Sequence, residues 1–103
     1  MGRLKEYIKE SKVSDTILKQ IRSLDKWALA SWGSKKFVST EEGIQFDVKG
    51  SKFRGKVIIV LDKGSDTYTI EFGNVRSLKW KSKLTLKRIF AGDLVNVLDQ
   101  HIG

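Results

Sequence analysis

The chain has 103 residues, 40% of them hydrophobic and 31% charged, with a net charge of +8, no cysteine and no proline. That composition suits one soluble globular domain with a modest core and is too apolar for a disordered chain. It excludes disulfides, thiolate nucleophiles and thiolate metal sites, and no run approaches the roughly 18 consecutive apolar residues of a membrane helix. The start, Met1-Gly2-Arg3-Leu4-Lys5-Glu6, lacks the apolar centre of a signal peptide and has Glu6 where a myristoylation signal needs Ser or Thr. No membrane association is expected, and the cytoplasm is the default location.

Residues 1–30 read as mainly helical. Leu4, Tyr7 and Ile8 have i, i+3, i+4 spacing, and Ile17, Ile21, Leu24 and Ala28 continue it. Ser14 or Asp15 is placed to cap the second run, and the pattern fits either one helix or two broken at Ser11–Val13. Trp27–Trp32 fits a helix extension or a first strand, and Gly33 ends it in either case. One of Trp27 and Trp32 is expected to be exposed.

From residue 36 to residue 90 the period changes to two. Phe37–Thr40 is a short strand before a Glu42-Gly43 turn, and Ile44, Phe46 and Val48 alternate with Gln45, Asp47 and Lys49. Val57–Leu61 is apolar on both parities, which predicts a strand covered on both faces. Gly64-Ser65-Asp66 connects it to Tyr68, Ile70 and Phe72, alternating with Thr67, Thr69 and Glu71. Gly73-Asn74 is expected to turn into a strand with Leu78, Trp80, Leu84 and Leu86 on one parity. Lys79, Lys81, Lys83 and Lys87 take the other, so a buried apolar row should oppose an exposed row of ammonium groups. Asp93 is placed to cap a last helix, 93–102, with Leu94, Val97 and Leu98 as its stripe. Short connections imply an antiparallel meander. The predicted fold is α+β: N-terminal helix or helices, four to five antiparallel strands, and a C-terminal helix in a single domain, 1–103. Ile44, Phe46, Val57, Ile59, Tyr68, Ile70, Phe72, Trp80, Leu84, Leu94 and Leu98 should share one core.

The charge is concentrated. Residues 49–56 hold Lys49, Lys52, Arg54 and Lys56, and residues 76–88 hold Arg76, Lys79, Lys81, Lys83, Lys87 and Arg88, with no acid in either segment. The remaining chain has ten basic and twelve acidic residues, so the whole excess lies in two short stretches. A focused positive patch attracts polyanions, whereas a lysine-rich face serving solubility alone needs no such clustering. Gly50 and Gly55 bound a cationic loop containing Phe53, which either stacks on a base between Lys52 and Arg54 or folds back onto the core.

Catalytic groups are scarce. His101 is the only histidine, close to the last residue, where fraying is common, and it reads as a surface residue and not as a zinc ligand or triad member. Glu41-Glu42 and Asp62 with Asp66 stand in turns, where carboxylates serve backbone hydrogen bonding. Gly50-Ser51-Lys52-Phe53-Arg54-Gly55 lacks the strand–loop–helix spacing of a phosphate-binding loop. No cofactor, metal or catalytic residue is expected.

Three stretches carry a resemblance. Gly33-Ser34-Lys35-Lys36-Phe37-Val38, after Leu29-Ala30-Ser31-Trp32, resembles a "MTGAKNF" element. Asp66-Thr67-Tyr68-Thr69-Ile70-Glu71-Phe72, followed by Arg76, resembles "DTYxVEF…R". Ala91-Gly92-Asp93-Leu94, ending at Ile102-Gly103, resembles "VYADxL…TG". In that order, over roughly residues 15–103, they look like a group of small uncharacterised proteins encoded by bacteriophages and prophages. The chain departs from that pattern at Trp32, at Ala91-Gly92 and by its added N-terminal helix. The resemblance implies a phage or mobile-element setting inside a bacterial host, and it favours binding over catalysis. The leading expectation is a non-enzymatic protein that binds nucleic acid through the ten basic residues above and Phe53. The alternative is an anti-CRISPR type inhibitor that binds a host protein or ribonucleoprotein complex of a defence system. A third is an assembly protein that forms a homodimer through an exposed edge strand.

Overall fold

The computed structural model describes residues 2–62 and 64–103, with side chains for residues 13–62 and 64–103. Helix α1 (Gly2–Leu24) and the single turn α2 (Ala28–Ser31) precede five strands. These are β1 (Lys35–Thr40), β2 (Gly43–Lys49), β3 (Arg54–Asp62), β4 (Thr67–Arg76) and β5 (Lys79–Ile89). A 3-10 turn at Ala91–Asp93 leads into α3 (Leu94–Ile102). The strands form one antiparallel meander in the order β1-β2-β3-β4-β5, so the chain has the expected α+β architecture. Among the described residues no helix is long and apolar enough to cross a membrane.

Helix α1 continues through Ser11–Val13 and past Ser14 and Asp15, so neither of those residues is a cap. Ser14 is buried against the sheet instead, its Oγ 2.7 Å from Ser39 Oγ. Ile17 and Ile21 are fully buried, whereas Leu24, at the helix end, is half exposed. Leu4, Tyr7 and Ile8 lie outside the residues whose side chains are described. Asp25 ends the run by accepting the Trp27 N–H at 3.0 Å. The Trp27–Trp32 stretch therefore neither extends α1 nor starts the sheet. It forms a separate turn, closed where Gly33 takes φ +63°. The Gly33 N–H bonds the Ala30 carbonyl at 3.0 Å and the Ser34 N–H the Leu29 carbonyl at 3.1 Å, which satisfies carbonyls the helix end would orphan. Trp27 is exposed and Trp32 buried, its indole N–H donating to Asp99 Oδ1 at 3.1 Å.

The helices cover one face of the sheet only. Ile17, Ile21, Ala28, Trp32, Leu94, Leu98 and Ile102 pack against Ile44, Phe46, Val48, Val57, Ile59, Tyr68, Ile70 and Phe72. The two-sided cover expected of β3 is absent: Val57 and Ile59 are fully buried, but Ile58 and Val60 stand half-buried on the open face. Their apolar character reflects a central strand flanked by neighbours, not a second layer. Asp93 occupies the N-cap of α3, but its side chain makes no capping hydrogen bond.

The lysine-rich strand departs furthest from expectation. Gly73 and Asn74 remain inside β4, and the chain turns at Ser77-Leu78, whose φ values of +52° and +64° fit a primed hairpin turn. Phe72 pairs with Leu84 but Gly73 with Ser82, so β5 carries one extra residue, Lys83. Side-chain parity inverts across such a bulge. Leu84 and Leu86, paired with Phe72 and Ile70, face the helices, whereas Trp80, paired with Val75, lies on the open face. Trp80 is therefore 37% exposed on the open face, while Leu84, also expected in the core, is 38% exposed because β5 is an edge strand, and Leu78 is 99% exposed.

Two predictions follow from one-sided packing and from Tyr68. Ile59→Ala should cost about 2–5 kcal/mol in urea unfolding, the usual range for a cavity at a buried isoleucine. Ile58→Ala, next to it on the open face, should lose less than half as much. The Tyr68 hydroxyl donates to Gln20 Oε1 at 2.7 Å. Burial foremost, and then the Asp66 charge, raise its pKa above the ordinary 10.0, against the opposing effect of the Gln20 bond. A phenol whose folded pKa is raised contributes stability that is complete below pH 10.0 and declines as pH rises above it. The melting temperature of the parent should therefore fall more between pH 9 and pH 11 (about one unit either side of the ordinary tyrosine value) than that of Tyr68→Phe.

Candidate nucleic-acid interface

The meander brings the two basic segments to the same end of the sheet. The β2–β3 hairpin turns between Lys49 and Arg54, which are cross-strand partners. The β4–β5 hairpin turns between Arg76 and Lys79, also partners. Lys56 pairs with Gly73 and Gly73 with Ser82, so both hairpin tips lie at one edge of the domain. The start of β1 adds Lys35 and Lys36, which sequence reasoning did not single out. The signal for them was positional: in a meander, the start of β1 must lie at the same end as the β2–β3 turn.

On the open face this end forms a cleft of about 460 Å³, lined by Lys35, Lys36, Lys49, Arg54 and Lys56, with Asp47 as its one carboxylate. Lys36 Nζ lies 4.0 Å from Asp47 Oδ2 and Lys56 Nζ 3.8 Å from Asp47 Oδ1. One carboxylate thus serves two ammonium groups at long range, a contribution of about 0–1 kcal/mol for such partly exposed pairs. The cleft retains a strong positive excess.

The loop between β2 and β3 is built differently from the expected stacking platform. The Ile102 carbonyl accepts the N–H groups of Lys52 at 3.0 Å and Phe53 at 3.3 Å. Gly50 passes so close beneath Ile102 that any Cβ there would collide with that carbonyl. This docking turns Phe53 inward to 7% exposure, edge-on to Phe72 with ring centroids 5.5 Å apart. Phe53 is therefore a core residue and presents no free ring to a base. Lys83 Nζ sits 5.7 Å from its ring centroid, over a smaller pocket of about 280 Å³ shared with Lys52, Leu84 and His101. His101 is not surface decoration. Its ring stacks on Phe72 at 5.4 Å, and its Nδ1–H donates to the Val97 carbonyl at 2.8 Å. The helix end packs into the core, with Ile102 fully buried.

The β4–β5 hairpin continues beyond β3. The last β3–β4 pair is Lys56 with Gly73, while Asn74–Lys81, Val75–Trp80 and Arg76–Lys79 pair beyond it. Only the end of this ribbon, the Arg76–Lys79 pair with the Ser77-Leu78 turn, is free of β3, because Gly55 still lies against Asn74 and Arg54 shares the cleft with Val75. By register, Arg76, Lys79 and Lys81 take its helix-side face, and Val75 and Trp80 its other face. The indole N–H of Trp80 donates to Glu71 Oε1 at 2.7 Å. Its ring covers Gly73, where a Cβ would come within 2.7 Å of the ring carbons.

Lys87 and Arg88 do not belong to this cluster. Ile89 pairs with Tyr68, which places them near the β3–β4 turn, roughly 20 Å along the strand from Lys81 at the ordinary rise per residue. A second register shift falls there, with Arg88 at φ +59°. The expected single row of four lysines is thus divided by two bulges. Asp62 and Asp66 also stay in the turn, Asp62 Oδ1 accepting the Gly64 N–H at 3.0 Å. No family model, curated protein or solved structure matches this chain.

The Gly50 contact is testable. Gly50→Ala should lower the melting temperature and increase hydrogen exchange at the Lys52 and Phe53 amides, because the added methyl displaces the carbonyl that holds them.

Proposed function

We propose that this chain is a non-enzymatic nucleic-acid-binding protein that grips phosphates with the basic end of its sheet. The convergence of three chain segments, the start of β1 and the two hairpins, each with its cations, carries this reading. Residues far apart in sequence supply cations to one end of the sheet: Lys35, Lys36, Lys49, Arg54 and Lys56 around Asp47 on the open face, Arg76, Lys79 and Lys81 on the helix side, and Lys52 and Lys83 beside the Phe53 pocket. Such a surface neutralises several phosphates at once and releases their counterions, giving strong, salt-sensitive affinity without direct sequence readout. The phage-like sequence elements fit a protein that meets phage or host nucleic acid in a bacterial cytoplasm. An inhibitor of a host defence complex is the second reading. It is favoured by the open face of β1 and β3, where Val38 is 48% exposed and Ile58 and Val60 are half-buried.

Fluorescence anisotropy against labelled duplex and single strands across a salt series tests the first reading. Lys49→Ala with Arg54→Ala, or Lys79→Ala with Lys81→Ala, should each weaken binding and reduce the salt slope by roughly two counterions. Lys87→Ala with Arg88→Ala should leave both unchanged. Equal losses in all three variants would show an attraction to net charge alone. No binding by the parent, together with a stable complex from host lysate, would favour the inhibitor.

A further inference from the structure

The tip of the β4–β5 ribbon combines three features that the phosphate-gripping role does not require. Leu78 is 99% exposed. It is held at φ +64° beside Ser77 at φ +52°, a turn in which Asn and Gly are the ordinary residues and a leucine carries steric strain. It is also framed by cations, with Arg76 and Lys79 forming the last cross-strand pair before the turn. A strained residue that could be replaced by a better turn former, and that touches nothing in its own fold, points to a surface outside the fold.

We infer that this ribbon is a duplex-bending arm that enters the minor groove of DNA and wedges Leu78 between adjacent base pairs. The inference rests on reading the basic end as a nucleic-acid interface. An aliphatic side chain has no hydrogen bond to offer a base edge. What it gains in a duplex is the apolar face of a base, reached by partial unstacking from the minor groove. Arg76, Lys79 and Lys81 supply the charge complementarity, since a narrow minor groove concentrates negative potential. The root of the arm is tied to the sheet. Trp80 is fixed to Glu71 by its indole N–H at 2.7 Å and closes over Gly73. That same fixation argues against a membrane-inserting hairpin, because the indole is already committed to the sheet.

The test compares the parent with Leu78→Gly, using duplex DNA labelled at both ends for energy transfer, with anisotropy over a salt series and thermal melting. Gly relieves the turn, so the variant should melt at the same or a higher temperature. It should keep the parent's salt slope on the duplex, because every cation remains. The gain in energy transfer that accompanies parent binding should be lost. A parent that binds duplex in a salt-dependent way without any change in transfer would overturn the arm while leaving the basic interface standing. A variant that bends the duplex as the parent does would overturn it equally. Failure of the parent to bind duplex or single strands at all would remove the interface and the arm together. Sedimentation of the parent, but not Leu78→Gly, with phosphatidylserine vesicles in the absence of duplex bending would assign the tip to a lipid surface instead.

Discussion

The single extra residue at Lys83 determines the character of the basic end. Without it, Trp80 would share a face with Leu84 and Leu86, and Lys79 and Lys81 would point to the open side. With it, the indole crosses to the open face, meets Glu71 and covers Gly73, and the cations take the opposite side of the ribbon. A one-residue change in register moves every following side chain to the other face. The bulge also serves the edge. β5 is an 11-residue edge strand, and bulges with lysines are a common way to stop such a strand from pairing with another chain. Its second register shift, near Arg88, acts in the same sense and weakens the case for dimerisation along β5.

A second constraint couples this end to the C-terminal helix. The Ile102 carbonyl holds two loop amides, Gly50 leaves it the necessary space, and the Ser51 hydroxyl donates to the Gly103 carbonyl at 3.1 Å. Lys52 Nζ adds a bond to the Gln100 carbonyl at 3.3 Å, so its charge complements the negative end of the α3 dipole. The β2–β3 loop is therefore held in place by backbone contacts, while Lys49 and Arg54 line the open-face cleft. The cations of this loop are thus tied to the C-terminal helix through its backbone.

The strand order, the helix at each end and most of the core were legible because period-two and helical spacing report on local geometry. Ile44, Phe46, Val57, Ile59, Tyr68, Ile70, Phe72, Leu94 and Leu98 are all buried as their spacing required. The errors arise where a tertiary or one-residue event intervenes. A bulge leaves no mark in an alternating pattern, so parity counted through Lys83 misplaced Trp80. The Ser77-Leu78 turn contains neither Gly nor Asn, and Gly73-Asn74 offered a more orthodox turn that the indole over Gly73 in fact explains. Phe53 and His101 turn inward because helix α3 returns to the β2–β3 loop, a contact between residues about fifty positions apart in sequence. Local spacing carries no information on that.

Like charges gathered at one end must still be compatible with folding, and the magnitudes show that they are. Two ammonium groups two residues apart on a strand lie about 7 Å from one another, which in water corresponds to a repulsion of about 0.6 kcal/mol before screening. Physiological salt, with a screening length of about 8 Å, reduces this further. Burying Ile59 alone contributes more than several such pairs cost. The cluster is therefore affordable in the free protein, and a bound polyanion would relieve its weak mutual repulsion. The strain at Leu78 is different in kind. It is local, unaffected by salt and unrelieved by any neighbour in the fold. Neighbour repulsion at the root and backbone strain at the tip thus answer to separate experimental variables, ionic strength for the first and residue identity for the second. A partner that engages the whole ribbon would have to respond to both.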